Sequence, residues 1–219
     1  MTDISKIHAV IIGDLVNPPS VDASNRSDFD ASLREIFDEV NSDYEKDIDF
    51  LIQRSNSFTK VMISPEYALE VALYLKARVK MLRKYYSLPD LDMRLSIGIG
   101  LIENLAQEVS QSDGQAFRFA GTELDKLSKF QSFTLRSSFK EMNISWKALA
   151  LMVDTITEGW SYEGAEAVWF SLKGLTQSQI AKILDISQSA VNFRLRAAHW
   201  RATKVLIKTY HDQLNHFID

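Results

Sequence analysis

Gln188, Ser189, Asn192 and Arg196 lie at helical spacing and bring together two amides, a hydroxyl and a guanidinium, groups that hydrogen-bond best to flat, edge-presented partners. Ser187 precedes them, and Arg194, Arg201 and Lys204 add fixed positive charge nearby. Side chains of these types match the base edges and phosphates of a major groove. They need a carrier that points them outward, and the run TQSQIAKILDISQSAVNFRL at residues 176–195 provides one. Thr176 can cap a first helix whose Ile180, Ala181 and Leu184 share an inward face, with the small Ala181 where the helices cross. Asp185 and Ile186 make the turn, Ser187 can cap a second helix, and Val191 with Leu195 gives that helix its buried stripe. The pattern predicts a helix-turn-helix over residues 176–198, with Ser187, Gln188, Ser189, Asn192, Arg194, Arg196, Arg201 and Lys204 as its contacts to double-stranded DNA.

Charge supports this locally. No acidic residue occurs between Asp185 and Asp212, an interval that holds Arg194, Arg196, Arg201, Lys204 and Lys208. Attraction to phosphate needs such a patch. The whole chain of 219 residues carries a net charge of -4, which excludes a general polyanion binder and confines any nucleic-acid contact to one face. The chain has no Cys, so disulfides and thiolate metal sites are excluded, and its 4 His are too scattered for a zinc pattern. The first apolar run, in MTDISKIHAVIIGDL, is too short for a membrane span and has no basic segment with a cleavage site. A cytoplasmic protein without membrane contact is expected.

Composition divides the chain near residues 137–141. All four Pro lie at or before Pro89, and Trp146, Trp160, Trp169 and Trp200 all follow residue 139. Residues 139–219 carry 9 Lys and Arg against 8 Asp and Glu, whereas residues 1–138 are net acidic. In the first part, apolar alternation and turn signals predict strands at 7–15, 48–53, 58–63, 94–102 and 133–136, with RSNS linking the second and third as a hairpin. Helices are expected at 29–44, at 68–86 after Pro65, and at 114–130. That order predicts a split βαβ sheet of ferredoxin-like type, with its helices packed on one face.

The second part reads as all helical. Residues 139–160 are apolar on more than one face and suggest a buried connector, Ser161 can cap a helix at 162–172, and Gly174 ends it. After Val191 no Gly or Pro interrupts a stripe running through Leu195, Ala198, Ala202, Val205, Leu206, Tyr210 and Leu214. Its partner is expected to be the Trp146 or Trp169 helix, or the same stripe in a homodimer. His8, alone in an apolar strand, reads as a packed or edge residue.

Three segments of the first part, AVIIGDLV at 9–16, LSIGIGLI at 95–102 and SDGQAFRFAGTELDKL at 112–127, resemble the SatD family, whose N-terminal fold is related to the palm of class III nucleotidyl cyclases and GGDEF domains. The resemblance implies an α+β protein: a cyclase-palm-like domain at 1–138, then an all-helical DNA-binding domain at 139–219. It also implies a metal-binding role for Asp14, such as toward Mg, and a nucleotide or small-anion site where Asp14, the NPPS loop at 17–20, Gly114 and Gln115 converge. Ser64-Pro65-Glu66-Tyr67 stands where the GGDEF hairpin has its carboxylates, so the second acid of a two-metal site is missing and no catalytic residue is expected. Without a ligand, Asp14 would cap the following turn, and Gly98 and Gly100 would admit a close helix. The segment EAVWFSLKGLTQSQIAKILDISQSAVNFRLRAAHW at 166–200 resembles region 4 of sigma-70-type factors. Together these readings predict a transcriptional regulator with a non-catalytic sensor or scaffold domain. The alternative is a metal-dependent nucleotide-binding or nucleotide-cyclising enzyme whose C-terminal helices serve assembly.

Overall fold

A computed structural model describes residues 7–17, 23–44, 50–53, 57–106 and 111–218. Its elements are β1 (Ile7–Val16), α1 (Ala23–Asp43), β2 (Leu51–Gln53), β3 (Ser57–Met62), a 3-10 turn (Pro65–Tyr67), α2 (Ala68–Tyr85), β4 (Asp92–Asn104), β5 (Asp113–Gly114), α3 (Gln115–Lys126) and β6 (Phe133–Ser137). Helices alone follow: α4 (Lys140–Glu158), α5 (Tyr162–Leu172), α6 (Gln177–Leu184), α7 (Gln188–Ala197) and α8 (Trp200–Ile218). The protein is α+β, a mixed six-stranded sheet followed by helices.

Strands run in the order β2-β3-β1-β4, each antiparallel to its neighbour, so β3 lies between β1 and β2. The outer edge of β4 is shared: β6 pairs with it in parallel along residues 95–99, and β5 takes residues 102–104. The helix at 29–44 begins earlier than its stripe suggested, at Ala23, and the strand at 94–102 is longer, because its pairing with β1 continues to Asp92. Residues 54–56, within the expected hairpin turn, and residues 18–20 of the NPPS loop lie outside the described residues.

Period-two alternation assigns the faces. Ala9, Ile11, Met62, Leu95, Ile97 and Ile99 point to the core that holds α1 and α2. Val10, Val61 and Ile102 point the other way, onto Ala116 and Ala120 of α3. The expectation of helices on one face is therefore corrected, because α3 covers the opposite face. Its seat is cut into the sheet. A Cβ at Gly98 would lie 2.0 Å from the carbonyl oxygen of Ala116 and 2.6 Å from the amide nitrogen of Ala120, so only the missing side chain lets α3 approach. Because the clash is with backbone, Gly98→Ala is expected to cost about 3 kcal/mol, the upper end of ordinary overpacking, read as a lower urea midpoint. An unchanged midpoint would show that α3 is not held in this seat.

The helical part is built onto the same core. One apolar cluster runs from Ile11 and Leu95 through Trp146 and Val168 to Val191 and Tyr210, across the composition boundary at 137–141. Polar bonds follow it: Tyr210 donates from Oη to the carbonyl of Pro65 at 2.7 Å, buried. The Lys76 ammonium donates to Ser132 Oγ at 2.6 Å, and Ser132 Oγ donates to Asp154 of α4 at 2.5 Å. Arg78 grips Glu39 through two bonds of 2.9 and 3.0 Å while its guanidinium lies 4.6 Å from the ring centre of Trp169 on α5.

Two helical expectations are corrected. α4 is not buried all round: Trp146, Leu149, Val153 and Ile156 face the core, but Ile144 and Leu151 are 79% and 62% exposed. The stripe after Val191 is also broken, since α7 ends at Ala197 and His199 takes a left-handed φ of 54°. At the break Trp160 donates its indole N–H to the carbonyl of Ala198 at 2.9 Å in a buried bond, and the chain restarts as α8 at Trp200. Val205 consequently faces out, while Leu206, Tyr210 and Leu214 pack within the same chain, where the Tyr210 ring stacks on Trp146 at 5.3 Å.

Candidate functional site

The α6–α7 pair is defined by its caps. Thr176 Oγ1 accepts from the amide of Gln179 at 3.4 Å, and Gln179 Oε1 accepts in return from the amide of Thr176 at 2.8 Å, a reciprocal pair that starts α6. Asp185 turns the chain with φ 51° and ψ 47°, and the amide of Ile186 closes back onto Ala181 at 3.0 Å. Ser187 then starts α7, its Oγ accepting from the amide of Ala190 at 3.1 Å. Ile180, Ala181, Val191 and Leu195 are buried, so both helices are locked against the core by the faces the spacing predicted.

Ser187, Gln188, Ser189, Asn192, Arg196, Arg201 and Lys204 are all exposed. Neither the sheet nor another helix walls them off. Arg194 differs. Its guanidinium donates to Glu166 of α5 at 2.9 Å and is largely covered, so it fastens α7 to α5. Ser187 and Ser189 share a hydrogen bond of 2.8 Å between their hydroxyls. On one flank of α7, Asn192, Arg196, Arg201 and Lys204 line a single open groove of about 780 Å³, whose floor includes Trp200 and Leu206. The groove spans the break at His199, with Asn192 and Arg196 on its α7 side and Arg201 and Lys204 on its α8 side. Chemically, the flank offers guanidinium and ammonium donors beside an amide that both donates and accepts.

The residue that the polar pattern missed is Phe193, which stands 74% exposed on the outward side of α7. Counting 100° per residue from Val191 and Leu195 would have found it.

The second candidate site does not assemble. Asp14 pairs in register with Arg94 and Ser57, whereas Gly114 pairs with Ile102, which lies past the Leu101 partner of Ile7 at the far end of β1. Asp14 and the Gly114–Gln115 corner are thus separated along β4 by the eight residue steps from Arg94 to Ile102, about 26 Å of extended chain. The expected convergence is corrected by this antiparallel register. Glu66 lies in the 3-10 turn beyond Met62, the partner of Ala9, so it too is at the end remote from Asp14. Arg94 donates Nε to Asp14 Oδ1 at 2.9 Å and Nη2 to Oδ2, and this bonding raises the Arg94 pKa further above its ordinary value. Both Asp14 oxygens are therefore occupied by a cation already. Among the described residues, no three His, Asp or Glu side chains gather as a metal site. These residues do not fit the Mg-dependent chemistry of class III nucleotidyl cyclases. Gly114 and Gln115 have packing roles instead: a Cβ on Gly114 would lie 2.6 Å from Ile102 Cα, and Gln115 lies over Gly100.

No helix among the described residues is long and apolar enough to cross a membrane. No protein-family model matches the chain, and no curated protein matches it.

Proposed function

We propose that the chain is a transcriptional regulator that binds double-stranded DNA through α7, with α6 and α7 as its helix-turn-helix. One observation carries this reading. A helix capped at its N-terminus by Ser187 presents Gln188, Asn192 and Arg196 to solvent beside Arg201 and Lys204, in a stretch with no carboxylate from residue 186 to 211. A helix of this exposure fits a major groove, which is about 12 Å wide. Gln188, Ser189 and Asn192 read base edges there, and Arg196, Arg201 and Lys204 hold phosphates and fix the register. Arg194 is left out of the contact set because Glu166 engages it.

The first part is then a scaffold of ferredoxin-like, cyclase-palm-like type, a reading supported by the β2-β3-β1-β4 order and by α1 and α2 on one face. The SatD-like segments and the region-4-like segment agree with this division. The scaffold role is favoured over a nucleotide enzyme because Asp14 is bound to Arg94 and lies far from Gly114 and Gln115.

Selection from random duplex DNA at two salt concentrations tests the proposal. A preferred sequence should emerge, and the joint Gln188→Ala and Asn192→Ala variant should lose at least about tenfold in preference for it while the salt slope stays unchanged. Binding of all sequences alike by the native protein would overturn the proposal.

A further inference from the structure

The outward face of α7 holds one large side chain that cannot hydrogen-bond. Phe193 lies about 170° around the helix from the mean direction of the buried Val191, Leu195 and Ala198, so it points away from the buried stripe of α7. It is 74% exposed. Its neighbours one turn away include Ser189, Ala190 and Ala197, all too small to cover the ring; Arg196 stands on one side of it, and on the other the ring borders a recess that includes Ser161, Glu163 and Gly164 at the start of α5.

A scattered exposed apolar residue is ordinary on a protein surface. Phe193 is distinguished by its place. It sits on the same outward surface as Ser189, Asn192 and Arg196, so whatever α7 docks against must meet the ring. In a major groove a phenyl ring has one apolar partner on the base edges, the C5-methyl of thymine. A wedge between base steps is the other way an aromatic meets DNA, but that belongs to minor-groove binding, and a groove about 6 Å wide does not admit a helix.

We infer that Phe193 is a specificity-determining residue that reads a thymine through its methyl group, alongside the hydrogen bonds made by Gln188 and Asn192. This rests on the DNA-binding reading above and deepens it: the preferred site contains a thymine whose recognition is apolar. Burying one methyl on a phenyl ring favours thymine over uracil by about three- to fivefold. Phosphate contacts are untouched, so the preference is independent of salt.

The test uses the full chain and its selected duplex, with each thymine replaced in turn by deoxyuridine, which removes only the methyl. The native protein should lose about three- to fivefold at one position. Phe193→Ala should bind thymine and uracil there equally, and Phe193→Leu, which keeps apolar surface, should retain part of the difference. The ring is exposed, so both variants should keep the native unfolding midpoint. A native protein that prefers a sequence yet is indifferent to every uracil overturns this inference and leaves the DNA-binding reading standing. Undiminished discrimination by Phe193→Ala also overturns it, because another residue would then read the methyl. Absence of any sequence preference in the native protein removes both.

Discussion

Replacing Arg196, Arg201 and Lys204 together by Ala should lower the slope of log affinity against log salt by about 3 and weaken DNA binding roughly a hundredfold at physiological salt, equally on every sequence. Each group is exposed, and the three line one groove with Asn192, so they can meet one phosphate track while α7 occupies the groove. Each phosphate neutralised contributes about 0.9 to the slope through counterion release. Arg194→Ala is the internal control. It should leave the slope unchanged and reduce folding stability instead, because it leaves the largely covered Glu166 without its cation, with only the Tyr162 hydroxyl still donating to it. Titrations at several salt concentrations with a matched and an unmatched duplex read both results. A slope unchanged in the triple variant would remove the basic flank from the interface.

Asp92→Ala should cost about 3–5 kcal/mol of stability, the loss typical when a buried ion pair keeps only one partner. Lys80 Nζ lies 3.2 Å from Asp92 Oδ2, Arg83 Nη2 lies 3.4 Å from it, and Lys76 Nζ lies 3.7 Å from Oδ1. Lys76 and Lys80 are buried, so removal of the carboxylate would leave two enclosed cations facing each other. Burial lowers the pKa of both lysines, and Asp92 opposes that shift. Burial alone would raise the Asp92 carboxyl, but Lys76, Lys80, the Met93 amide and Arg83 outweigh it and hold the group below its ordinary value. The sign follows from linkage. A depressed carboxylate contributes fully above its unfolded pKa of about 3.9, and the contribution is lost as pH falls through the lower folded value. Urea unfolding from pH 7 downward should therefore show a steep acid limb in the native protein and a flatter one in Asp92→Ala. Lys80→Met added to Asp92→Ala should restore part of the loss, and a failure of the pair to couple would refute the assignment.

What could be read from the sequence was local. Thr176, Ser187 and the stripe of Ile180, Val191 and Leu195 act within a few residues of one another, so their types and spacing contain the geometry found in α6 and α7. The strands of the first part were readable for the same reason. The face of the sheet taken by α3 was not, although Gly98 and Gly100 already implied a close helix, because the direction of the β4–α3–β6 crossover is a property of the assembled sheet. The supposed meeting of Asp14 with Gly114 failed likewise: pairing of Asp14 with Arg94 and of Gly114 with Ile102 is set by strand register, between residues far apart in the chain. No Gly or Pro near His199 announces the helix break, and the indole bonded there, that of Trp160, comes from a residue 38 positions away from Ala198. Phe193 is hidden from the polar pattern for a different reason, since its ring makes no hydrogen bond.

The bond from Tyr210 to Pro65, and the unbroken apolar cluster around it, bear on how the chain can be divided. α7 packs on α5, and α5 in turn packs on α2. A fragment of residues 139–219 alone would carry a raw apolar face into water, so its excision is expected to yield an aggregating product rather than an autonomous unit.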